Sequence, residues 1–247
     1  MIKNVTAITV NYKTKDLIET SLIQFRKYYP DIQLIIVDGS SFDESSEWIY
    51  EFAKKDKKTR VLFNNFNIHH GPGMDTGLRL VRTPYSFLFD TDTNIVKDGM
   101  IEKMLNMVAF NQDFYSIGTL HNINDYGFDI MPPYNGLIIQ NVTKIKERDK
   151  GIHYIHPRAK LLNNKQYFQF FPFIKHGAPC AAAYKSLQKA NKQNLLFHFP
   201  VLEYIVHPDG KGGTVAKSGL GLYTKKELEA IKAKQDKAKE NQVLKLI

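Results

Sequence analysis

The chain of 247 residues holds one cysteine, Cys180. A single thiol excludes an intramolecular disulfide and any zinc site built from several cysteines. Long apolar runs are also missing. Runs such as Leu34-Ile35-Ile36-Val37 stop far short of the ~20 residues that span a bilayer. Met1–Thr6 lacks the uninterrupted apolar stretch of a secretory leader, so a reducing, cytoplasmic setting is the expectation. No internal repeat stands out. With 43% hydrophobic and 24% charged residues, the composition is too apolar for disorder. Charge is unbalanced: 34 basic residues face 25 acidic ones, a formal net charge of +9. That surplus suits nucleic acid, an anionic membrane face or a phosphorylated small molecule, and does not by itself choose among them.

The first half of the chain alternates between two hydrophobic periods. Val5–Val10, Leu34–Val37, Arg60–Phe63, Tyr85–Phe89 and Ser116–Leu120 read as short strands. Between them, Leu17, Ser21, Leu22, Phe25 and Tyr29 recur at helical spacing after a possible Thr14 cap. Ser41-Phe42-Asp43-Glu44 fits a capping box before a helix that buries Trp48, Ile49 and Phe52. Gly71–Arg82 reads as a loop entering a helix, and Met100, Met104 and Val108 mark another. Strands alternating with helices imply an α/β fold with a mostly parallel sheet and helices on both faces. After Asn122 aromatic, proline and histidine residues become dense, which suggests a less regular second half.

In open α/β sheets ligands sit beyond the carboxyl ends of the strands. Those positions here carry Asn11-Tyr12, Asp38-Gly39-Ser40-Ser41 and Asp90-Thr91-Asp92-Thr93. In an extended segment Asp90 and Asp92 point to the same side, and two close carboxylates favour a hard divalent cation such as Mg²⁺ or Mn²⁺. Such an ion could bridge the phosphates of a nucleoside diphosphate; a solvated turn is the alternative. Asp38, ending a buried strand, either meets a base or ribose or caps the next helix. Gly71-Pro72-Gly73-Met74-Asp75-Thr76-Gly77 is a weak nucleotide signal. It follows the third strand, the first βα turn has no glycine, and no Gly-Lys-Ser/Thr ending follows.

Val37-Asp38-Gly39-Ser40-Ser41-x-Asp43, then Asn67 through Gly77, then Phe87-Leu88-Phe89-Asp90-Thr91-Asp92 together resemble the successive signatures of family two glycosyltransferases with the GT-A fold. The resemblance implies a nucleotide-sugar donor, Mn²⁺ or Mg²⁺, and inversion at the anomeric carbon. It implies donor contacts from Val10, Asn11, Tyr12, Asp38, Gly73, Asp75, Gly77, Asp90 and Thr91. It makes Asp90-Thr91-Asp92 the DxD motif, with Asp92 the direct metal ligand and Asp90 on ribose or a metal-bound water. A late histidine often completes the metal site in such enzymes, which points to His207, although Pro208-Asp209-Gly210 could equally form a plain turn. Lys211 would then face the leaving diphosphate. The acidic pair that many relatives use as catalytic base is absent where it is expected, in Phe173–Cys180; His176 is the candidate base there, a packed loop histidine the alternative.

The organisation this implies is a transferase domain over 1–223, its nucleotide-sugar half 1–121 and acceptor half 122–223. A basic helix would follow at 224–247, where seven lysines face four acidic residues. The acceptor expected is a glycan or lipid-linked glycan hydroxyl, with the basic helix contacting an anionic membrane. A nucleotidyltransferase acting on a sugar phosphate is the rival activity. A nucleic-acid-binding domain is disfavoured, because aromatics and basic residues are not interleaved. His156 reads as structural or near the acceptor cleft, and Cys180 as a small packed residue without an activating partner.

Overall fold

The computed structural model describes residues 2–39, 43–123, 151–174 and 178–207. Strands β1 (Val5–Asn11), β2 (Gln33–Asp38), β3 (Thr59–Phe63) and β4 (Tyr85–Phe89) alternate with helices α1 (Lys15–Tyr28), α2 (Glu44–Lys55) and α3 (His70–Leu80). Then follow β5 (Asn94–Ile95), α4 (Met100–Phe110), β6 (Ser116–Ile123), β7 (Ile152–Asn163), the single turn α5 (Asn164–Tyr167), α6 (Ala181–Lys189), β8 (Leu196–His198) and β9 (Ile205–Val206). Seven strands form one sheet in the order β3-β2-β1-β4-β7-β6-β8, and β5 pairs with β9 in a separate two-stranded ladder. The β1–β2, β2–β3, β1–β4 and β6–β8 pairs are parallel; β7 runs antiparallel to β4 and β6. The expected mostly parallel α/β sheet is present.

The apolar strand runs make sense because both sheet faces are covered. Val5, Ala7, Leu34, Ile36, Phe87 and Phe89 pack with Ile18, Leu22 and Phe25 of α1, Ile49 of α2 and Met104 of α4. The alternating residues Ile8, Ile35, Val37 and Leu88 pack with Met74 and Leu78 of α3 and Ala183, Tyr184 and Leu187 of α6. Chain order reverses at β1: β2 and β3 lie on one side, β4 on the other. The crevice of such a sheet opens at that switch, beyond the ends of β1 and β4.

The glycines of α3 let the helix approach the sheet. A Cβ on Gly77 would sit 2.6 Å from Ile8 Cγ2, and one on Gly73 would sit 2.7 Å from Val10 Cγ1. Gly77→Ala gains up to about 1 kcal/mol of helix propensity. It forces a buried, β-branched neighbour to move, which costs about 1–3 kcal/mol. A net loss of stability is expected in urea titration; a variant as stable as wild type would show that the helix can lift freely.

Several local expectations are corrected. Thr14 precedes α1 but makes no side-chain cap, because its hydroxyl donates to Asn11 Oδ1 at 2.7 Å. The cap of α2 is Asp43, whose carboxylate accepts from the Ser45 and Ser46 amides, in place of the expected capping box led by Ser41. Ser41 itself lies outside the described residues. Among the described residues of the second half, one long regular strand stands out. β7 has 12 residues and lies inside the sheet, its polar and proline residues tolerated where it bulges. Cys180 is fully buried as expected, but it has a partner: Lys160 Nζ donates to its Sγ at 2.9 Å.

One polar knot ties α1 to β3. Arg26 Nε donates to Asp56 Oδ2 at 2.6 Å, and its other nitrogens reach the Tyr29 and Ile32 carbonyls and the Thr59 hydroxyl. Burial opposes the charge on Asp56, but the Thr59 hydroxyl, the Lys58 amide and Arg26 outweigh it and hold its pKa below the usual carboxylate range. A depressed pKa contributes stability that is present above the unfolded-state value of ~3.9 and is lost as pH falls through the folded value. Asp56→Asn is therefore expected to cost about 1–2 kcal/mol at neutral pH, with the gap to wild type closing below about pH 4. A gap that persists in acid would place the effect on packing and not on charge.

Candidate active site

At the end of β4 the chain turns sharply, with the Thr93 amide donating to the Asp90 carbonyl at 3.0 Å. β5 follows and pairs antiparallel with β9, Asn94 opposite Val206, so His207 returns level with the acidic turn. One ligand atom each from Asp90, Asp92 and His207 lie within 4.8 Å of one another. His207 Nε2 stands 3.0 Å from Asp92 Oδ1, with side-chain exposures of 12% and 6%. Burial opposes a charge on the His207 imidazole, but the hydrogen bond and attraction of Asp92, with Asp90 behind, outweigh it and raise the pKa. On the other flank, His70 Nε2 at the start of α3 lies 3.2 Å from Asp90 Oδ1.

The donor set suits a divalent cation. Two like charges held this close in a water-poor pocket repel unless a positive charge joins them. Carboxylate oxygens with one imidazole nitrogen match Mn²⁺ or Mg²⁺ better than a soft, thiolate-seeking ion.

Next to this group, the ends of β1 and β2 form a polar wall. Asn11 is fully buried; its Nδ2 donates to Asp38 Oδ1 at 2.7 Å and to the Ser45 hydroxyl at 2.9 Å. Ser46 donates to the other Asp38 oxygen at 2.7 Å. Asp38 therefore ties β1 to the start of α2. The Thr14 hydroxyl also lies 3.3 Å from that of Thr91, which joins this wall to the acidic turn. Tyr12 and Val10 are half-buried, and a Cβ on Gly39 would lie 3.2 Å from the Tyr12 ring.

Other expected donor contacts are differently engaged. Asp75 accepts from the Tyr167 hydroxyl at 2.7 Å and from Arg79 Nε at 2.8 Å, which joins α3 to α5. Gly73 and Gly77 face β1, where the helix packs. His176, Lys211 and the lysine-rich 224–247 segment lie outside the described residues.

Three residues join the site that the strand-end reading did not assign to it. His70 was visible only as part of the loop after β3. His156 and Arg158 come from β7, whose direction opposes the parallel strands, so the rule about carboxyl ends does not reach them. The His156 ring centroid lies 6.4 Å from that of His207 and 6.0 Å from that of His121. Burial, then the nearby Arg158, His121 and His207, hold the His156 pKa well below the ordinary imidazole value.

The profile of glycosyl transferase family 2 matches residues 6–168. Among curated proteins, the glycosyltransferase GlyG of Streptococcus pneumoniae is 28% identical over 111 residues, 45% of this chain and 36% of that protein. An uncharacterized glycosyltransferase of Haemophilus influenzae is 23% identical over 212 residues, 82% of this chain and 65% of its own length. The chain thus spans less than two thirds of either relative. Among solved structures, S. aureus TarS (residues 1–349) in complex with UDP-GlcNAc superposes with a TM-score of 0.61 at 15% identity, covering 89% of this chain and 61% of that one. The mannosyltransferase PcManGT from Pyrobaculum calidifontis, in complex with GDP-Man and Mn²⁺, gives 0.56 at 12% identity, over 80% of this chain and 57% of its own. At such identities the likeness is one of fold. The family profile covers more than half of the chain and includes the β4 turn, so this protein is a family two glycosyltransferase.

Proposed function

We propose that the protein transfers a sugar, with inversion, from a nucleoside diphosphate sugar to a hydroxyl of a glycan or lipid-linked glycan. The observation that carries this reading is the convergence of Asp90, Asp92 and His207 from two distant segments at the switch point of the sheet. Asp92 and His207 are the proposed direct ligands of Mn²⁺ or Mg²⁺, with Asp90 beside them. A divalent ion bound there supplies positive charge to the diphosphate as it departs. Asn11 and Asp38 hold the floor of the nucleoside pocket, where their mutual hydrogen bond keeps both groups preorganised. His176 is the proposed base for the acceptor hydroxyl, and Lys211 a second cation for the leaving group. Uridine diphosphate sugars are the favoured donors. The two structural neighbours hold GDP-Man and UDP-GlcNAc, which supports a nucleoside diphosphate sugar in general.

Among the described residues no helix is long and apolar enough to cross a membrane. We place the protein in the cytoplasm, with its lysine-rich 224–247 segment in contact with an anionic membrane surface. The activity is tested by incubating the protein with UDP-, GDP- and dTDP-sugars and Mn²⁺, with and without glycan acceptors. Release of nucleoside diphosphate is the expected result. Release of pyrophosphate from a nucleoside triphosphate and a sugar phosphate would instead show a nucleotidyltransferase.

A further inference from the structure

The β6–β7 pairing breaks at one place. Gly118 pairs with Lys160 and Leu120 with Ile155, so one residue of β6 faces four of β7, His156–Ala159. A bulge of this kind re-aims side chains out of the ladder. Pro157 and Ala159 are buried within it, whereas His156 and Arg158 are half-buried. The bulge is pinned to the acidic turn. The Arg158 carbonyl accepts from the Asp90 amide at 3.3 Å and from the Thr93 hydroxyl at 2.6 Å. The Arg158 amide in turn donates to His156 Nδ1 at 3.1 Å, which closes the loop locally. The backbone of Arg158 is thereby fixed against both ends of the Asp90–Thr93 segment. Its half-buried side chain starts from this backbone, directly beside the acidic turn.

The charges at the site make a demand that the carboxylates cannot meet. Two aspartates cancel the charge of one divalent cation, so a bound diphosphate brings negative charge that calls for further cations, and Lys211, proposed above, lies outside the described residues. A guanidinium presents paired donors that match phosphate oxygens.

We infer that Arg158 is the described cation that binds the donor diphosphate, carried to the crevice by the bulge of β7. This rests on the nucleoside diphosphate sugar reading above. His156, whose Nδ1 accepts from the Arg158 amide, is the positioning residue that holds the bulge in shape.

The test compares wild type, Arg158→Gln and Arg158→Lys in calorimetric titrations with UDP and GDP at saturating Mn²⁺. The matching nucleosides are titrated by ligand-detected NMR, and Mn²⁺ alone by electron paramagnetic resonance. Arg158→Gln is expected to weaken diphosphate binding about 10- to 100-fold, a loss in the range of charge-assisted hydrogen bonds. Lysine should restore part of it, while nucleoside and Mn²⁺ affinities stay within about threefold of wild type. Equal losses for nucleoside and diphosphate would mean that Arg158 only supports the fold, and would overturn the assignment. So would unchanged UDP and GDP affinity, or a matching loss of Mn²⁺ binding. A wild-type protein that binds Mn²⁺ but neither nucleotide would instead refute the donor reading itself.

Discussion

Asp92→Ala is expected to lower sugar transfer about 10²–10³-fold and to erase the thermal stabilisation conferred by Mn²⁺ with a nucleoside diphosphate. Asp92 is 5% exposed, ends the turn that β4 and β5 hold rigid, and faces His207 at 3.0 Å. Its carboxylate is therefore preorganised, and little reorganisation is needed to bind an ion. Asp92→Asn keeps the shape and removes the charge, so it should lose most of the activity as well. A ligand present at about 100 times its Kd stabilises the native state by about 2.7 kcal/mol, which a melting curve resolves. If Asp92 and His207 hold the same ion, the double variant with His207→Ala should be little worse than either single one. Additive losses would assign the two side chains to separate tasks. Wild-type transfer by Asp92→Ala would remove the aspartate from the mechanism.

The largest expected effect on stability lies beneath the crevice. Lys160 is fully buried in β7, with its ammonium 2.9 Å from Cys180 Sγ, 3.5 Å from the Tyr184 hydroxyl and 4.4 Å from the centre of the Phe173 ring. Cys180→Ala leaves that ammonium without its closest acceptor in a place water does not reach. The expected loss is about 2–4 kcal/mol, because a buried charge deprived of its partner keeps its full desolvation cost. For a chain of this size that lowers the melting temperature by about 4–16 °C. Lys160→Met keeps the length of the side chain and removes the charge, so it should stay near wild type, as replacements of buried charges by apolar groups often do. Equal damage from both substitutions would show that packing, and not the charge, governs this layer.

Much of the fold was legible along the chain, for a local reason. β1, β2 and β4 are short runs rich in β-branched, aromatic and other apolar residues, and the helices between them carry apolar residues at three- and four-residue spacing. Both periods are properties of neighbouring residues. The strand ends were legible too, which is why Asn11, Asp38, Asp90 and Asp92 could be named beforehand. Their roles were less so. The carboxylate of Asp38 is shared between Asn11 and Ser46, and Asp75 turns to Tyr167 and Arg79. These partners lie 8 to 92 residues from the aspartate they bind, or a single helical turn away in the case of Arg79.

The same distinction holds for the crevice. Local sequence determined that two carboxylates would stand at the end of a buried strand, whereas the tight turn that brings them together, in place of the extended segment expected, belongs to the fold. What meets them is set by tertiary structure, and His207 was named beforehand only through the family resemblance. His207 is brought there by a ladder of two residue pairs between β5 and β9, too short to leave a periodic signal. Arg158 and His156 arrive on an antiparallel strand whose place between β4 and β6 depends on contacts far apart in the chain. Pairing across such distances is settled by closing loops and filling both sheet faces at once. No window of neighbouring residues contains that information.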